Sequence, residues 1–419
     1  MRLKTILNKC IKYKSFVFDK VRFSKDMKKI IITVKSRSNS KAVCSICGNP
    51  GSCYDTLPSR EFQHIPFWGF QVLFQYSMRR VNCMHCNRVI VEKVPWSDGK
   101  NHQTHYYAKY LASWAKLISW KEVAERFRTS WQTVAKAVEE IVEYGLKNRS
   151  LDGVTALGID EIQWHKGHKY LTLVYQIDLG CRRLLWVGEK RTQKTLLQFF
   201  YQFNKIEKNF AAGIEVICSD MWKPYLKVIA KKLPDTIHIL DKFHIMQKFS
   251  KALDKVRASE AKALKEKGEE PVLAKSRWCF LKRKGNLTQK QNFKLKELLD
   301  INLKTVKAYL LKEQFHKFWE YKSPAWAGKF LDSWCRTTMY SRIEPMKDVA
   351  KMLRSHRELI LNFFRAKKQF NNGIVEGFNR KINLTIRKSF GFRTFKYAEI
   401  ALYHQIGDLP EPVFTHEFW

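Results

Sequence analysis

Apolar and polar positions form three successive patterns along the chain. Residues 28–36 (KKIIITVKS), 67–83 (FWGFQVLFQYSMRRVNC) and 88–94 (RVIVEKV) predict short strands around a turn-rich CSICGNPGS knuckle. After Pro95-Trp-Ser-Asp-Gly the spacing becomes helical, over 106–117, 120–127 and 131–144. From Thr155 it changes again. Segments 155–164, 169–178 and 182–189 read as three strands joined by tight turns at HKGH and LGC. Helix 195–206, strand 213–220, helix 223–233 and strand 235–241 follow, an α/β pattern. Residues 242–368 read as almost wholly helical, with breaks at KEKGEEP, KRKGN and SPAWAG. No internal repeat or low-complexity segment interrupts this order.

The 419 residues leave room for several domains, and 45% hydrophobic content argues for a folded core. Charge adds a partner. Lys and Arg number 77 against 39 Asp and Glu, a net +38. Such an excess favours nucleic acid, whose phosphates release counterions when bases neutralise them. A lysine-rich genome would also raise Lys, but would usually raise Glu with it. No run approaches the roughly 18 apolar residues that span a bilayer, and MRLKTILNKCIKYKSF lacks an apolar signal region. The expectation is a cytosolic protein with no membrane partner.

Ten cysteines in this length do not make a disulfide scaffold. Four form two knuckles, Cys44-Ser-Ile-Cys47 and Cys83-Met-His-Cys86, separated by 35 residues. Each can present two thiolates to one tetrahedral zinc. Cys53, His64 and His85 are competing ligands, and nothing suggests the open fourth position of a catalytic zinc. Cys10, Cys181, Cys218, Cys279 and Cys335 read as core residues. Downstream, SWKEVAERFRTSWQTVAKAVEEIV fits a helix-turn-helix. Val123 and Ala124 face its core, Arg128-Thr129 make the turn, and Ser130 caps the second helix. Trp131, Gln132 and Lys136 are then the candidates for a DNA groove.

Three carboxylates carry the candidate chemistry. Asp160 sits late on an apolar strand in ALGIDEIQW, and Asp220 directly follows another in IEVICSDMWKPY. An acid there is costly to ionise unless paired or bound to metal, although Asp220 could simply cap the next helix. Between Arg365 and Ala398 nine Lys/Arg surround a single acid, Glu376, which follows Asn371-Asn372-Gly373 and falls in the first turns of a helix. Alone it could be a salt-bridge partner. Together the three can hold two divalent ions for in-line phosphoryl transfer. Asn379, Arg380, Asn383 and Arg387 share the Glu376 face and could grip DNA backbone. Glu161 points to the opposite face from Asp160 and ranks below it. Asp241 reads as a helix cap and His244 as structural.

GIDE, SDMWKPY, DKFH, NNGIVEGFNRKIN and GFRTF follow in the order and approximate spacing of the ISL3 insertion-sequence transposases. The CSICG…CMHC and SWKEVAERFRTSWQTV segments also resemble that family, so the resemblance covers nearly the whole chain. KINLTIRKSFGF differs in being less basic than the family pattern. The resemblance implies a DDE transposase with an RNase H-like core and the triad Asp160, Asp220 and Glu376. The 156-residue step from Asp220 to Glu376 then contains a helical insertion.

The resulting expectation is a multidomain α/β protein. It has a zinc-binding β domain (1–98), a helix-turn-helix (99–150), a mixed five-stranded core in two parts (151–245 and 361–419) and an all-α insertion (246–360). The function expected is Mg²⁺- or Mn²⁺-dependent cleavage and strand transfer at terminal inverted repeats. Double-stranded element and target DNA are the partners, and one structural Zn²⁺ the second cofactor. Synapsis of two ends implies a homodimer or higher oligomer, in a bacterial cytoplasm and on the nucleoid when DNA-bound. The rival readings are a non-catalytic, domesticated DNA-binding regulator and an RNase H-like nuclease without strand transfer.

Overall fold

A computed structural model describes residues 3–98, 101–165, 167–282, 284–367 and 373–413. Asn371 and Asn372 before Glu376, Lys368 at the end of the helical stretch, Lys166 of HKGH and Arg283 of KRKGN lie outside the described residues. The chain divides into two compact units, Met1–Ser150 with Thr385–Trp419, and Leu151–Leu384. Among the described residues no helix is long and apolar enough to cross a membrane.

The first unit opens with α1 (Leu3–Cys10), then β1 (Phe16–Phe23), β2 (Lys29–Ser36), β3 (Ala42–Val43), β4 (Pro50–Phe67), β5 (Phe70–Cys83) and β6 (Arg88–Val91). These strands form one sheet in the order β1-β2-β5-β4-β3, with β6 also on β5. Its core collects around Trp96, whose ring meets those of Phe16, Tyr76 and Tyr13 at 4.9, 5.3 and 5.5 Å. The 18-residue β4 is absent from the sequence reading, and its burial explains why. Within it Phe62 and His64 are buried, while most of the strand is exposed or half-buried and pairs with β5 through its backbone. A strand without a buried face leaves no period-two signal.

Three helices follow: α2 (His105–Leu117), α3 (Trp120–Arg126) and α4 (Trp131–Asn148). Their starts are written in the sequence. Thr104, Ser119 and Ser130 each accept a backbone N–H at the helix start, and Ser119 makes a full capping box with Glu122. Arg128 turns between α3 and α4 with φ of 50°, and Val123 and Ala124 are buried as expected.

The second unit is built on β7 (Ala156–His165), β8 (Lys169–Gln176), β9 (Arg183–Glu189), β10 (Val216–Ser219) and β11 (Ile237–Leu240). The sheet order is β11-β10-β7-β8-β9. The pairs β7–β8 and β8–β9 are antiparallel, whereas β10 lies parallel to both β7 and β11. Helices α5 (Gln193–Ile206) and α6 (Lys223–Lys232) bury Phe199, Phe200, Phe203, Tyr225 and Ile229 against this sheet. Among the described residues seven α-helices come next: α7 (Lys242–Glu266), α8 (Arg277–Leu281), α9 (Gln289–Leu299), α10 (Lys304–His316), α11 (Pro324–Tyr340), α12 (Glu344–Ser355) and α13 (Arg357–Arg365). They have their own aromatic centre, with the Phe315 ring 4.5 Å from Phe249 and 5.0 Å from Trp334.

Helix α14 (Gly373–Lys388) meets β7 at Gly158. A Cβ built on Gly158 would stand 2.6 Å from Val375 Cγ2, so any side chain there would push the helix off the strand. The last element, α15 (Phe395–Ile406), belongs to the first unit and packs on α4.

Candidate active site and cysteine cluster

Parallel pairing of β10 with β7 sets Val216, Ile217 and Cys218 opposite Ala156, Leu157 and Gly158. Continued two residues, that register carries Asp220 level with Asp160 on the neighbouring strand. Glu376 comes from the first turn of α14, which two contacts beyond Gly158 hold near Asp160. Asn379 donates to Asp160 Oδ2 at 2.6 Å and accepts from the Tyr175 hydroxyl at 2.9 Å. Phe378 stacks on Tyr175 with centroids 4.9 Å apart. Glu376 lies three residues before Asn379, on the same helix face.

Asp160, Glu161, Glu376 and Asn379 line one cavity of about 1020 Å³, together with Asp241 and His244. Its other wall comes from α10 and the turn after it, through Lys312, Glu313, His316 and Trp319. Asp220 is not among the lining residues. It connects through Arg191, whose guanidinium lies 2.9 Å from Asp220 Oδ2 and 2.8 Å from Glu161 Oε1. Glu376, half exposed, pairs with Arg380 at 2.8 Å. Carboxyl oxygens of Asp160, Asp220 and Glu376 do not converge within 4.8 Å of one another in this arrangement.

Burial sets the electrostatics. It pushes the Asp160 carboxyl above its usual range, against the backbone N–H of Glu161, which donates to Oδ1 at 2.8 Å. Glu161 is raised to about 8, first by burial and then by the neighbouring Asp220 charge. Buried Asp241 caps α7 and accepts from His244 Nδ1 at 2.6 Å, and that bond raises His244. Asp160, Asp220 and Glu376 supply only hard oxygen donors, a set that suits Mg²⁺ or Mn²⁺ and not a soft ion. Sequence reasoning missed Arg191, Tyr175 and the α10 wall. The one available signal was general, that buried acids need a counter-charge.

Cys44, Cys47, Cys83 and Cys86 bring four sulfurs within 4.8 Å of one another, the one such group of three or more His, Cys, Asp or Glu among the described residues. The first knuckle joins β3 to β4 and the second joins β5 to β6. Sulfurs of Cys44 and Cys86 are 3.9 Å apart, and those of Cys47 and Cys83 are 3.5 Å apart. Tetrahedral zinc with bonds of about 2.3 Å asks for sulfurs about 3.8 Å apart, so the cluster fits that ion. Backbone N–H groups of Cys47 and Ile46 draw the Cys44 thiol down to about 7, and the crowd of thiols, Cys47 first, pushes Cys86 up to about 12. The competing ligands stand apart. Cys53 is exposed and turns to the Asp55 carbonyl, His64 bonds Thr104 in the core, and His85 is exposed.

On α4, Gln132 and Lys136 are exposed, and the Lys136 amine meets Asn101 Oδ1. Trp131 is half-buried, 5.4 Å from the Tyr397 ring and beneath the Arg393 guanidinium. Asn383 and Arg387 are exposed on α14.

Comparison with known proteins places the chain among transposases. The ISL3 family pattern, described as a transposase, matches residues 157–402, more than half of the chain. The chain belongs to the ISL3 transposase family. It is 27% identical over 357 residues to the transposase for insertion sequence element IS1001 of Bordetella parapertussis, spanning 85% of this chain and 86% of that protein. It is 28% identical over 397 residues to the transposase for insertion sequence element IS1557 of Mycobacterium tuberculosis, spanning 88% and 86%. Among solved structures, the Drosophila P element transposase strand transfer complex is similar over 71% of this chain and 91% of that one. Its identity is 10% and its TM-score 0.39.

Proposed function

We propose that this transposase is a DDE enzyme in which Asp160, Asp220 and Glu376, on an RNase H-like core, hold two Mg²⁺ or Mn²⁺ ions. The observation that carries the reading is the parallel β7–β10 register, which levels Asp160 with Asp220, combined with the Asn379–Asp160 bond, which seats the Glu376 helix beside them. When bound, the two ions would activate the attacking oxygen and stabilise the leaving one. The chain's own residues orient the site: Asn379 fixes the Asp160 carboxylate, and Gly158 lets α14 approach. Hydrolysis forms a water-oxygen bond to phosphorus at the element end and frees the 3′-OH. That hydroxyl then attacks a target phosphodiester and displaces a target 3′-oxygen.

The cysteine domain (1–98), with one structural Zn²⁺, and the helix-turn-helix (99–150) serve to recognise the terminal inverted repeats. Trp131, Gln132 and Lys136 face the DNA there, and Asn379, Arg380, Asn383 and Arg387 grip its backbone near the metals. The core runs over 151–245 and 361–419, with 246–360 as its insertion. Two synapsed ends require a homodimer or higher oligomer, acting in the cytoplasm on nucleoid DNA. The net charge of +38 supports a polyanionic partner.

The test is cleavage and joining of a duplex carrying the element end, with Mg²⁺, by the full chain and by Glu376→Gln. Cleavage and 3′-end joining by the parent, both lost in E376Q, is the expected result. Undiminished activity of E376Q would remove Glu376 from the triad. Cutting without joining would make the protein a nuclease.

A further inference from the structure

Arg191 lies just past the end of β9 and reaches two acids that water barely touches. Side chains of Glu161 and Asp220 are 8% and 14% exposed, and Arg191 lies within 2.9 Å of an oxygen on each. The contact to Glu161 is close but off the hydrogen-bond line, so it is mainly Coulombic, whereas that to Asp220 is an aligned hydrogen bond. The guanidinium stacks 4.4 Å from the Trp222 ring centre, and the Trp222 backbone N–H donates to the other Asp220 oxygen at 2.9 Å. Both oxygens of Asp220 are therefore taken by donors from the chain itself. Two acids this close in a low-dielectric site can both ionise only with a cation between them.

We propose that Arg191 occupies a cation position between Glu161 and Asp220, which a divalent ion must take over before Asp220 can serve as a ligand, with Glu161 as a further oxygen donor there. The inference rests on the reading of Asp220 as a metal ligand. A guanidinium and a metal ion on the same carboxylate edge repel each other and compete for its lone pairs. Arg191 thus keeps the metal-free core intact at a cost in metal affinity. Trp222 supplies a flat face that keeps the displaced guanidinium nearby.

Mn²⁺ binding to the full-length, zinc-replete protein without DNA tests this, followed by calorimetry and by the electron paramagnetic resonance of free Mn²⁺. Arg191→Gln should bind Mn²⁺ about tenfold tighter than the parent, since a charge-assisted bond no longer has to be broken. R191K should fall between them. In EDTA-free, metal-free buffer R191Q should melt below the parent, and Mn²⁺ should close that gap. Asp220→Asn should weaken Mn²⁺ binding. Equal or weaker binding by R191Q and R191K, with D220N still weakened, overturns the inference and leaves the metal site standing. Unchanged binding by D220N overturns both. If R191Q does not fold, R191K alone decides by the same comparison.

Discussion

In the cysteine cluster four sulfurs already stand within 4.8 Å of one another, at the spacing one tetrahedral ion requires. At the acidic site the three candidate ligands, two lining the cavity and Asp220 outside its lining, each hold a donor from their own chain: Asp160 holds Asn379, Asp220 holds Arg191, and Glu376 holds Arg380. The difference follows from where each set is anchored. The thiols sit on two tight knuckles whose strands share one sheet, so pairing of β5 with β4 and β6 places them. The acids come from the middle of β7, the end of β10 and a helix joined through a long insertion, and only tertiary packing brings them close. Local hairpins therefore preform the thiol set, whereas the acid set stays paired within the chain.

The comparison breaks most visibly if the preformed site is not structural. Cys83→Ser should lose its zinc by elemental analysis and unfold the β3–β6 region, seen as a new low-temperature transition, because structural zinc contributes about 10 kcal/mol or more to such small domains. Full stability without zinc would erase the contrast. Next in size, Asp160→Asn and Glu376→Gln should lower end cleavage by about 10³-fold, the loss expected when several kcal/mol of transition-state stabilisation go. Glu376 is half exposed, so E376Q should melt like the parent.

Asn379→Ala sharpens the comparison from the packing side. It removes the bond to Asp160 and leaves the buried Tyr175 hydroxyl unpaired, which should cost about 1–3 kcal/mol in denaturant unfolding. A smaller effect concerns pH. Glu161 titrates near 8 in the fold against 4.5 when free, so the fold holds its proton more tightly. Its contribution to stability is whole below about 4.5 and declines as pH rises through about 8. Metal-free Glu161→Gln should therefore lose less stability than the parent between those values, and parallel melting curves would contradict this. Smallest of all, Lys136→Ala should reduce the slope of log affinity against log salt for duplex DNA by about 1. An unchanged slope would take Lys136 off the DNA.

The start of α4 was legible because capping is local and Ser130 marks it in the sequence itself, while the Ser119–Glu122 box at α3 is equally local and was passed over. The α/β order from β7 to β11 was legible because buried strands write continuous apolar runs. The strand β4 was not, since most of its side chains bury nothing and its partner supplies the order. The four cysteines were legible as a set, because CxxC spacing alone presents two sulfurs together.

What the sequence determined by itself was therefore the chemistry on offer: thiols in pairs, acids on or just after apolar strands, a basic surplus and the capped helices. Tertiary structure alone decided the company each group keeps. Asn379 turns to Asp160 because Val375 packs on Gly158 and sets the depth of α14 on β7. Arg191 stands between Glu161 and Asp220 because β9 and β10 run in the same direction as β7, so the chain leaves both at one edge of the sheet. Such pairings depend on contacts far apart in sequence, and no local pattern of side chains encodes them.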